Sequence, residues 1–351
     1  MNPIRVLAVD DSALMRNMLS AVVDQQPDME MVGTAPDAFI ARELIKQLNP
    51  DVLTLDIDMP RMDGLEFLSR LMRLRPMPVI MISSLTTRGS KATMAALELG
   101  AVDFLPKPEH RGSDNLESWR QQVVEKIQVA ARARLTPRNP GDRPILSGIT
   151  VRQQSIIAIG SSTGGTEALR RVLTPLPVST PGIVIAQHMP AGFTHSFSQR
   201  LDSLCQIAVR EAQDGEPVLP GTALIAPGDR HMEIFSQDNG YRIRLSDAPP
   251  VNRHRPSVDV LFDSVARQAG KHASAAILTG MGSDGARGLL HLRQTGAFTL
   301  AQSEATCVVF GMPREAIALD AAKKVVDLDD ISQCLLNSFN YKNSPKTDSR
   351  R

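Results

Sequence analysis

The N-terminal half of the chain alternates short apolar runs with amphipathic stretches, and this alternation constrains the fold more than any other feature. The apolar runs have the length of buried strands, and the stretches between them have helical spacing of apolar residues. Five such β–α units predict a doubly wound α/β sheet with parallel strands and helices on both faces. The predicted strands are residues 5–9, 30–35, 52–55, 79–82 and 101–105, and the predicted helices are residues 12–23, 38–47, 64–74, 91–99 and 116–129.

Polar side chains lie at the carboxyl ends of these strands, and this is the edge at which parallel sheets bind ligands. Carboxylates drawn together raise each other's pKa unless a cation neutralises them, and Mg²⁺ suits such oxygen ligands. We predict that Asp56 accepts a phosphoryl group, that Asp11 binds the metal directly and that Asp10 binds it through water. Ser83 and Lys107 are expected to hold the phosphoryl oxygens.

A second α/β series begins at Ile156 and predicts a mostly parallel sheet with some antiparallel additions. Residues 242–245 alternate charged and apolar side chains, which indicates a half-exposed strand or one arm of a hairpin. The remaining predicted strands are residues 156–160, 182–186, 222–226, 275–279 and 298–301.

Length and local composition predict two domains joined by a connector. A chain of 351 residues is long enough for two hydrophobic cores. Between the two series, proline, glycine and arginine break the periodicity, as in a linker. The predicted segments are a first domain at 1–125, a linker at 126–154, a second domain at 155–340 and a disordered tail at 341–351.

Residues 160–164 read G-S-S-T-G, which fits the pattern G-x-S-x-G between a predicted strand and a predicted helix. A serine in such a turn has its hydroxyl raised above the sheet edge, close to the free N–H groups of the helix. The placement predicts a hydrolase that forms a covalent intermediate. Of the two adjacent serines, the register of the pattern selects Ser162 as the nucleophile.

A serine nucleophile needs a base, because its hydroxyl is inert near neutral pH. His188 and His231 each lie just past a predicted strand; position favours His188, but spacing alone does not decide between them. Asp284 follows another strand at the same edge and would orient the imidazole. The order serine, histidine, aspartate differs from that of the usual α/β-hydrolases, which predicts a triad on a different α/β scaffold.

Two other classes of function stay open on these patterns. Gly280, Gly282 and Gly285 also fit G-x-G-x-x-G after a strand, with Glu304 further on, as in a nicotinamide-dependent dehydrogenase. That interpretation leaves the serine turn without a role. A DNA-binding response regulator needs a short C-terminal helix-turn-helix domain with a basic face. The C-terminal half of this chain is instead long, α/β in pattern and not basic.

Charge and composition argue against several partners. The net charge of +1, from 39 basic and 38 acidic residues, gives no bulk field that recruits nucleic acid or a membrane surface. No apolar stretch has the length of a membrane span, and the N-terminus lacks a signal-peptide core. Cys205, Cys307 and Cys334 are scattered, without the spacing of a zinc site. We therefore expect a cytoplasmic protein that neither binds nucleic acid nor inserts into a membrane.

Residues 1–125 resemble a flavodoxin-like response-regulator receiver domain. The matching segments are residues 9–12, 56–60, 62–64, 83–84 and 107–108. The resemblance implies a metal contact from the main-chain carbonyl of Asp58 and a cis peptide bond before Pro108. It also implies that Phe104 is an aromatic residue that moves with Ser83 on activation, and that Mg²⁺ is the cofactor of phosphorylation.

The C-terminal half resembles the Rossmann-like catalytic domain of the CheB family, the chemotaxis protein-glutamate methylesterases and protein-glutamine glutaminases. The matching segments are residues 159–168, 187–190, 226–228, 256–259 and 279–285. The resemblance implies that Ser162 is the nucleophile, His188 the general base and Asp284 the orienting acid. Backbone N–H groups near Thr163 and Met281 are expected to hold the oxyanion.

Together the two resemblances imply an esterase controlled by phosphorylation. Its substrates would be glutamate methyl esters on methyl-accepting chemoreceptors, whose glutamines it would also deamidate, and its phosphodonor would be the histidine kinase CheA. The ester chemistry is expected to need no cofactor, and the protein is expected to be a monomer. The domain order suggests that the unphosphorylated receiver covers the catalytic edge and that phosphorylation at Asp56 loosens this cover.

Overall fold

The protein forms two compact units, residues 1–137 and 138–351, each built on its own parallel sheet. The structure, a computed structural model, describes residues 2–84, 87–108, 113–135, 144–147 and 154–341. The α/β class predicted for both halves of the chain is confirmed.

The first unit has a five-stranded sheet of order β2-β1-β3-β4-β5, in which every neighbouring pair is parallel. All five predicted β–α units are present, and β3 and β4 extend far enough to include Asp56 and Ser83. The strands are β1 (Ile4–Val9), β2 (Met29–Ala35), β3 (Val52–Asp56), β4 (Val79–Ser83) and β5 (Asp103–Pro106). The helices are α1 (Ala13–Asp24), α2 (Ala38–Leu48), α3 (Gly64–Leu74), α4 (Thr87–Leu99) and α5 (Ser113–Ala131).

Side-chain caps fix the helix starts that follow the acidic strand ends. Ser12 accepts a hydrogen bond from the Met15 N–H ahead of α1, and Asp63 accepts one from the Glu66 N–H at 2.7 Å ahead of α3. Each cap stabilises its helix by about 1 kcal/mol. The loops that carry the strand-end carboxylates are thereby held between a buried strand and a capped helix.

The second unit has a seven-stranded sheet of order β14-β13-β12-β6-β7-β9-β8, and a separate hairpin of β10 and β11. The strands are β6 (Ile156–Ser161), β7 (Gly182–Gln187), β8 (Ala208–Glu211), β9 (Thr222–Ile225), β10 (His231–Gln237), β11 (Gly240–Ser246), β12 (Ala273–Ile277), β13 (Phe298–Gln302) and β14 (Lys324–Val326). The helices are α6 (Gly165–Leu173), α7 (Phe193–Asp202), α8 (Val258–Gln268), α9 (Ala286–Gln294), α10 (Met312–Ala318) and α11 (Ile331–Tyr341).

The antiparallel additions expected in this sheet do not occur. All neighbouring pairs in it are parallel, and antiparallel ladders among the described strands are confined to the hairpin, where residues 242–245 lie in β11. Three strands lie outside the predictions: β8, β10 and β14. β8 and β14 are short edge strands with several exposed side chains, so their apolar signal is weak.

Each sheet has a point at which the chain reverses its direction of winding. In the first sheet this point lies between β1 and β3, and in the second it lies between β6 and β12. A crevice opens at the carboxyl ends of the strands at such a point and is the usual place for a ligand in this class of fold. The predicted carboxylate cluster and the predicted triad therefore fall where each sheet can bind a ligand.

The segment between the two sheets is only partly described. Helix α5 continues past residue 125 to Ala131, and the Leu146 N–H donates to Pro175 O at 2.8 Å. Of the predicted linker, residues 136–143 and 148–153 lie outside the described residues, as do residues 342–351 of the predicted tail. A search of the described helices for one with the length and apolar character of a membrane span found none.

Candidate active site and phosphorylation site

Two adjacent serines at the end of β6 differ in exposure. Ser161 is fully buried, and its Oγ donates to Gln187 Oε1 at 2.6 Å. Ser162 is half-buried, and its N–H donates to Thr279 O at 3.0 Å. The turn into α6 then passes through Gly164 at φ 77°, a left-handed conformation that favours glycine. Ser162 is therefore the more accessible serine of this turn.

The side chain of His188, just after β7, pairs with Asp284. Its Nε2 lies 2.8 Å from Asp284 Oδ2, and a ring that donates from Nε2 to a carboxylate keeps its lone pair on Nδ1. Within the part of the chain that the structure describes, Nδ1 is buried without a hydrogen-bond partner, so it makes no bond to Ser162 Oγ. Catalytic hydrogen bonds often tighten only when substrate is bound. Nδ1 is thus the nitrogen that can accept a proton.

Asp284 is buried among hydrogen-bond donors. Besides His188, it accepts bonds from Asn252 Nδ2 at 2.7 Å, Ser257 Oγ at 2.8 Å and the Val258 N–H at 2.6 Å. Burial by itself raises the pKa of Asp284, but the hydrogen bonds from His188, Asn252 and Val258 hold the pKa below its usual range. The carboxylate therefore stays ionised and can stabilise a protonated imidazole.

A tight turn at Asn252 and Arg253 brings two further side chains to the triad. These residues have φ of 52° and 67°, and Val251 and His254 pair across the turn through bonds of 2.9 and 3.1 Å. Positive φ at two successive non-glycine residues is strained, and such strain often occurs at functional sites. The turn presents the Asn252 amide to the triad carboxylate and stacks the His254 ring on His188, with centroids 3.7 Å apart and an interplanar angle of 13°. The stack restricts rotation of the imidazole.

His231, the other candidate base, bonds to the main chain through both ring nitrogens. Its Nδ1 accepts from the Ser257 N–H at 3.2 Å, and its Nε2 lies 3.0 Å from Pro249 O. A histidine bonded in this way has no nitrogen for a reacting serine, so the geometry favours His188. His231 instead supports the segment that donates to Asp284.

The loop after β12 lies against the serine turn. A Cβ on Gly280 would approach Ser162 Cβ to 2.6 Å, and Thr279 Oγ1 donates to Thr163 O at 3.0 Å. Met281 is partly exposed, and its N–H makes no hydrogen bond within the described part of the chain. The two residues predicted to supply oxyanion donors, Thr163 and Met281, thus lie on loops that meet beside Ser162.

Three carboxylates converge at the edge of the first sheet. One oxygen from each of Asp10, Asp11 and Asp56 lies within 4.8 Å of the others. Lys107 Nζ lies 2.8 Å from Asp56 Oδ2 and 3.1 Å from Asp10 Oδ2, and only the first contact has hydrogen-bond geometry. Arg16 Nη1 donates to the main-chain carbonyls of Asp10 at 2.7 Å and Asp11 at 3.0 Å. The cluster is therefore held by one cation at its side chains and another at its main chain.

The protonation of Asp56 and Lys107 reflects this crowding. Burial, together with repulsion from the Asp10 charge, raises the pKa of Asp56 to about 6, although the hydrogen bond from Lys107 acts to lower it. Burial alone lowers the pKa of Lys107, but the bond to Asp56 and the charge of Asp10 hold that pKa above its ordinary value. Lys107 thus remains a fixed positive charge at this edge.

Comparison with known proteins accounts for both domains. The family model for CheB methylesterase matches residues 157–335, and that for the response regulator receiver domain matches residues 6–115. A Salmonella typhimurium relative, named protein-glutamate methylesterase/protein-glutamine glutaminase, is 58% identical over 338 residues, which cover 96% of this chain and 97% of the relative. The chain belongs to the CheB methylesterase family.

Other members of the CheB family support the same assignment. A relative of the same name from Escherichia coli K12 has the same identity and coverage. The crystal structure of the Thermotoga maritima CheB methylesterase catalytic domain is 40% identical, with a TM-score of 0.51, and covers 55% of this chain and 99% of that one. The resemblances drawn from the sequence are confirmed: the chain is a hydrolase of the CheB family with an N-terminal receiver domain.

CheB membership decides against the dehydrogenase and the DNA-binding regulator, and the glycine loop gives a physical reason against the first. A Cβ on Gly280 would overlap Met312 Sδ, and one on Gly285 would overlap Val258 Cγ1. The loop is thus packed against protein where the pyrophosphate of a dinucleotide would have to approach. Asp284, within the same loop, is occupied by the donors described above.

The receiver carboxylates of this CheB protein fit Mg²⁺. Within the described residues, Asp10 Oδ2 is buried without a hydrogen-bond partner, and Lys107 Nζ at 3.1 Å is one ammonium among three carboxylates, so a further cation would relieve their repulsion. Oxygens of Asp11 and Asp56 lie beside Asp10, and hard oxygen ligands are those that Mg²⁺ prefers. The metal contact from the Asp58 carbonyl stays a prediction.

The residues predicted to respond to phosphorylation lie at the same sheet edge. Ser83 ends β4 and is buried, and its carbonyl accepts from the Lys107 N–H at 2.8 Å. Phe104 is buried within β5. Trp119 Nε1 donates to Pro106 O at 2.8 Å, which ties α5 to the end of β5. The roles of Ser83 and Phe104 in activation stay predictions.

The expected cis peptide bond before Pro108 is wrong for this structure. The described residues contain a cis bond at Arg255–Pro256 but not at Lys107–Pro108. The isomers of a bond to proline differ by only about 0.5–1 kcal/mol, so local packing rather than the sequence motif decides between them.

Asp10→Asn is expected to remove Mg²⁺ binding while stabilising the metal-free receiver. The variant replaces a buried charge that repels Asp56, so unfolding in EDTA should cost about 1 kcal/mol more than in the wild type. Mg²⁺ should raise the melting temperature of the wild type by mass action and leave that of the variant unchanged. Calorimetry with and without Mg²⁺ measures both effects. Asp51→Asn, away from the cluster, is the control and should respond to Mg²⁺ as the wild type does; a variant less stable than wild type in EDTA would contradict the prediction.

Proposed function

We propose that this enzyme hydrolyses methyl esters of glutamate side chains on the cytoplasmic helices of methyl-accepting chemoreceptors, and deamidates glutamines at the same site. The observation that carries the proposal is the His188–Asp284 bond of 2.8 Å beside an accessible Ser162. Methylesterase and glutaminase are the activities in the names of the 58% identical relatives. Both reactions are acyl transfers that one serine and one base can perform.

In the proposed mechanism, Ser162 Oγ attacks the ester carbonyl and its proton passes to His188 Nδ1. The imidazolium, stabilised by Asp284, gives this proton to the leaving methoxy oxygen, which departs as methanol, or to the amide nitrogen of a glutamine, which departs as ammonia. Water then transfers a proton to His188 Nδ1 and attacks the acyl-enzyme. The bond from the acyl carbon to Ser162 Oγ breaks, His188 returns the proton to Oγ, and the glutamate side chain is released as an acid that ionises to the carboxylate. The N–H groups of Thr163 and Met281 stabilise the oxyanion in both halves of the reaction.

We further propose that phosphorylation of Asp56 raises the rate of this reaction. The phosphodonor is the histidine kinase CheA, and Lys107 and Ser83 bind the transferred phosphoryl oxygens. Mg²⁺, when bound by Asp10, Asp11, Asp56 and the Asp58 carbonyl, supplies charge neutralisation for the transfer. The convergence of three carboxylates and Lys107 supports this role for Asp56.

Methanol release from methylated receptors tests both parts of the proposal. With wild-type full-length enzyme, adding Mg²⁺ and a phosphodonor should increase the rate. Asp56→Ala should keep the basal rate of the unphosphorylated wild type and show no increase, because the variant has no carboxylate to accept the phosphoryl group. An increase in Asp56→Ala would overturn the regulatory role, and an absence of methanol release from the wild type would overturn the substrate assignment.

A further inference from the structure

The side chain of Gln187 joins the main chains of two triad residues. Gln187 ends β7 and is buried, and its Nε2 donates to Ser162 O at 3.0 Å and to His188 O at 3.1 Å. One amide group therefore bonds to the carbonyl of the nucleophile and to that of the base. Gln187 is not itself a member of the triad, and it bonds to the main chains of these two residues rather than to their side chains.

The two carbonyls set the orientation of this amide, and Ser161 holds its oxygen. The buried Ser161 hydroxyl donates to Gln187 Oε1 at 2.6 Å, which leaves the NH₂ group facing the two carbonyls. If the amide were reversed, its oxygen would face two acceptors and its NH₂ would face the serine hydroxyl. The pair has no spare room, because a Cβ on Gly165 would overlap Gln187 Oε1 and come within 2.8 Å of Ser161 Cβ.

We propose that Ser161 and Gln187 are positioning residues. By holding the main-chain carbonyls of Ser162 and His188, they set the distance at which the nucleophile approaches the base. The inference rests on the proposed roles of Ser162 and His188 as nucleophile and base. The strand ends are joined again by the His188 N–H, which donates to Ser161 O at 3.1 Å. Because Ser162 Oγ and His188 Nδ1 make no hydrogen bond before substrate binds, their encounter depends on how these strand ends are held. A displacement of about 1 Å in such a site can lower the rate about 10²-fold.

Two substitutions remove the Ser161 hydroxyl and the Gln187 amide separately. Ser161→Ala removes the hydroxyl that holds the amide oxygen, and Gln187→Met removes both donors with little change in volume. We expect kcat to fall about tenfold in the first and about 10²-fold in the second, with KM within about twofold, because neither side chain meets the substrate. A fluorophosphonate probe should label Ser162 more slowly by similar factors, since labelling uses the same serine and base without a receptor.

Thr180→Val is the matched control for loss of a buried hydroxyl. Thr180 Oγ1 donates to Pro177 O at 2.6 Å ahead of β7, at the strand end opposite Gln187. This variant should lose about as much unfolding free energy as Ser161→Ala and keep wild-type kcat and labelling rates. If Ser161→Ala matches Thr180→Val in stability and also keeps wild-type kcat, the pair is only structural and the proposal is wrong.

Ser161→Ala is the milder change and decides the matter even if Gln187→Met fails to fold. If Ser162 were not the nucleophile, Ser162→Ala would retain labelling and turnover. That result differs from the one that would contradict the positioning role of Ser161 and Gln187. Labelling that disappears in Ser161→Ala but persists in Ser162→Ala would make Ser161 the nucleophile and overturn both proposals.

Discussion

Replacing Ser162 with alanine is expected to abolish methanol release, with kcat lower by about 10⁵-fold or more. The variant removes the only atom that forms the acyl-enzyme, and the loss of one triad nucleophile costs about as much as the loss of the whole triad. Ser162 is half-buried, so the free energy of unfolding should stay close to that of the wild type. Methanol release from methylated receptors and denaturant unfolding measure the two quantities.

The neighbouring serine provides a sharp control for this prediction. Ser161→Ala removes a hydroxyl one residue away but should lower kcat only about tenfold, because this hydroxyl is buried on Gln187. Stability should respond in the opposite order, with Ser161→Ala the less stable of the two. Substantial turnover by Ser162→Ala would refute the assignment of the nucleophile.

Asp284→Asn is expected to lower kcat by about 10³- to 10⁴-fold. An amide NH₂ at the Oδ1 position faces the donors of Asn252 and Ser257, whereas one at the Oδ2 position faces the Val258 N–H and favours the wrong tautomer of His188. The substituted side chain also cannot stabilise the imidazolium by charge. Asp263→Asn is the control, because Asp263 pairs with His291 at 2.6 Å on an exposed surface and should keep wild-type kcat.

Asp284→Asn is also expected to be less stable than the wild type, by an amount that depends on pH. The pKa of Asp284 is lower in the folded protein than in the unfolded chain, so its ionised form stabilises the fold above the unfolded pKa of about 3.9. That stabilisation is lost as the pH falls through the lower, folded pKa. The wild type should therefore be more stable than Asp284→Asn near neutral pH, and the difference should shrink in acid. Urea unfolding at several pH values measures it; a difference that grows in acid would contradict the sign.

The periodicity of the sequence predicted both sheets and the edges at which the chemistry lies. Apart from Phe104, which lies within β5, the predicted site residues follow or end strands, so alternation alone was enough to bring Asp10, Asp56 and Ser162 to those edges. The triad assignment itself stays a prediction that the geometry favours. The edge strands β8 and β14 were missed because short, half-solvated strands carry little periodic signal.

The residues around the triad were harder to predict for a different reason. The Asn252 amide and the His254 ring reach the triad only because two successive residues adopt positive φ, which no apolar pattern encodes. Gln187 was seen as part of a matching segment, whereas its bonds to two carbonyls depend on the register of β6 against β7.

Trp119 gives the receiver an optical signal of its own. It is the single tryptophan of the sequence, it is buried, and it lies in the receiver. Intrinsic tryptophan fluorescence of the intact enzyme therefore originates in the receiver. Because its indole N–H bonds to the carbonyl of Pro106, one residue before Lys107, its emission is placed to sense changes at the phosphorylation site. Fluorescence and methanol release from one unmodified sample thus follow the signal-receiving domain and the catalytic domain independently.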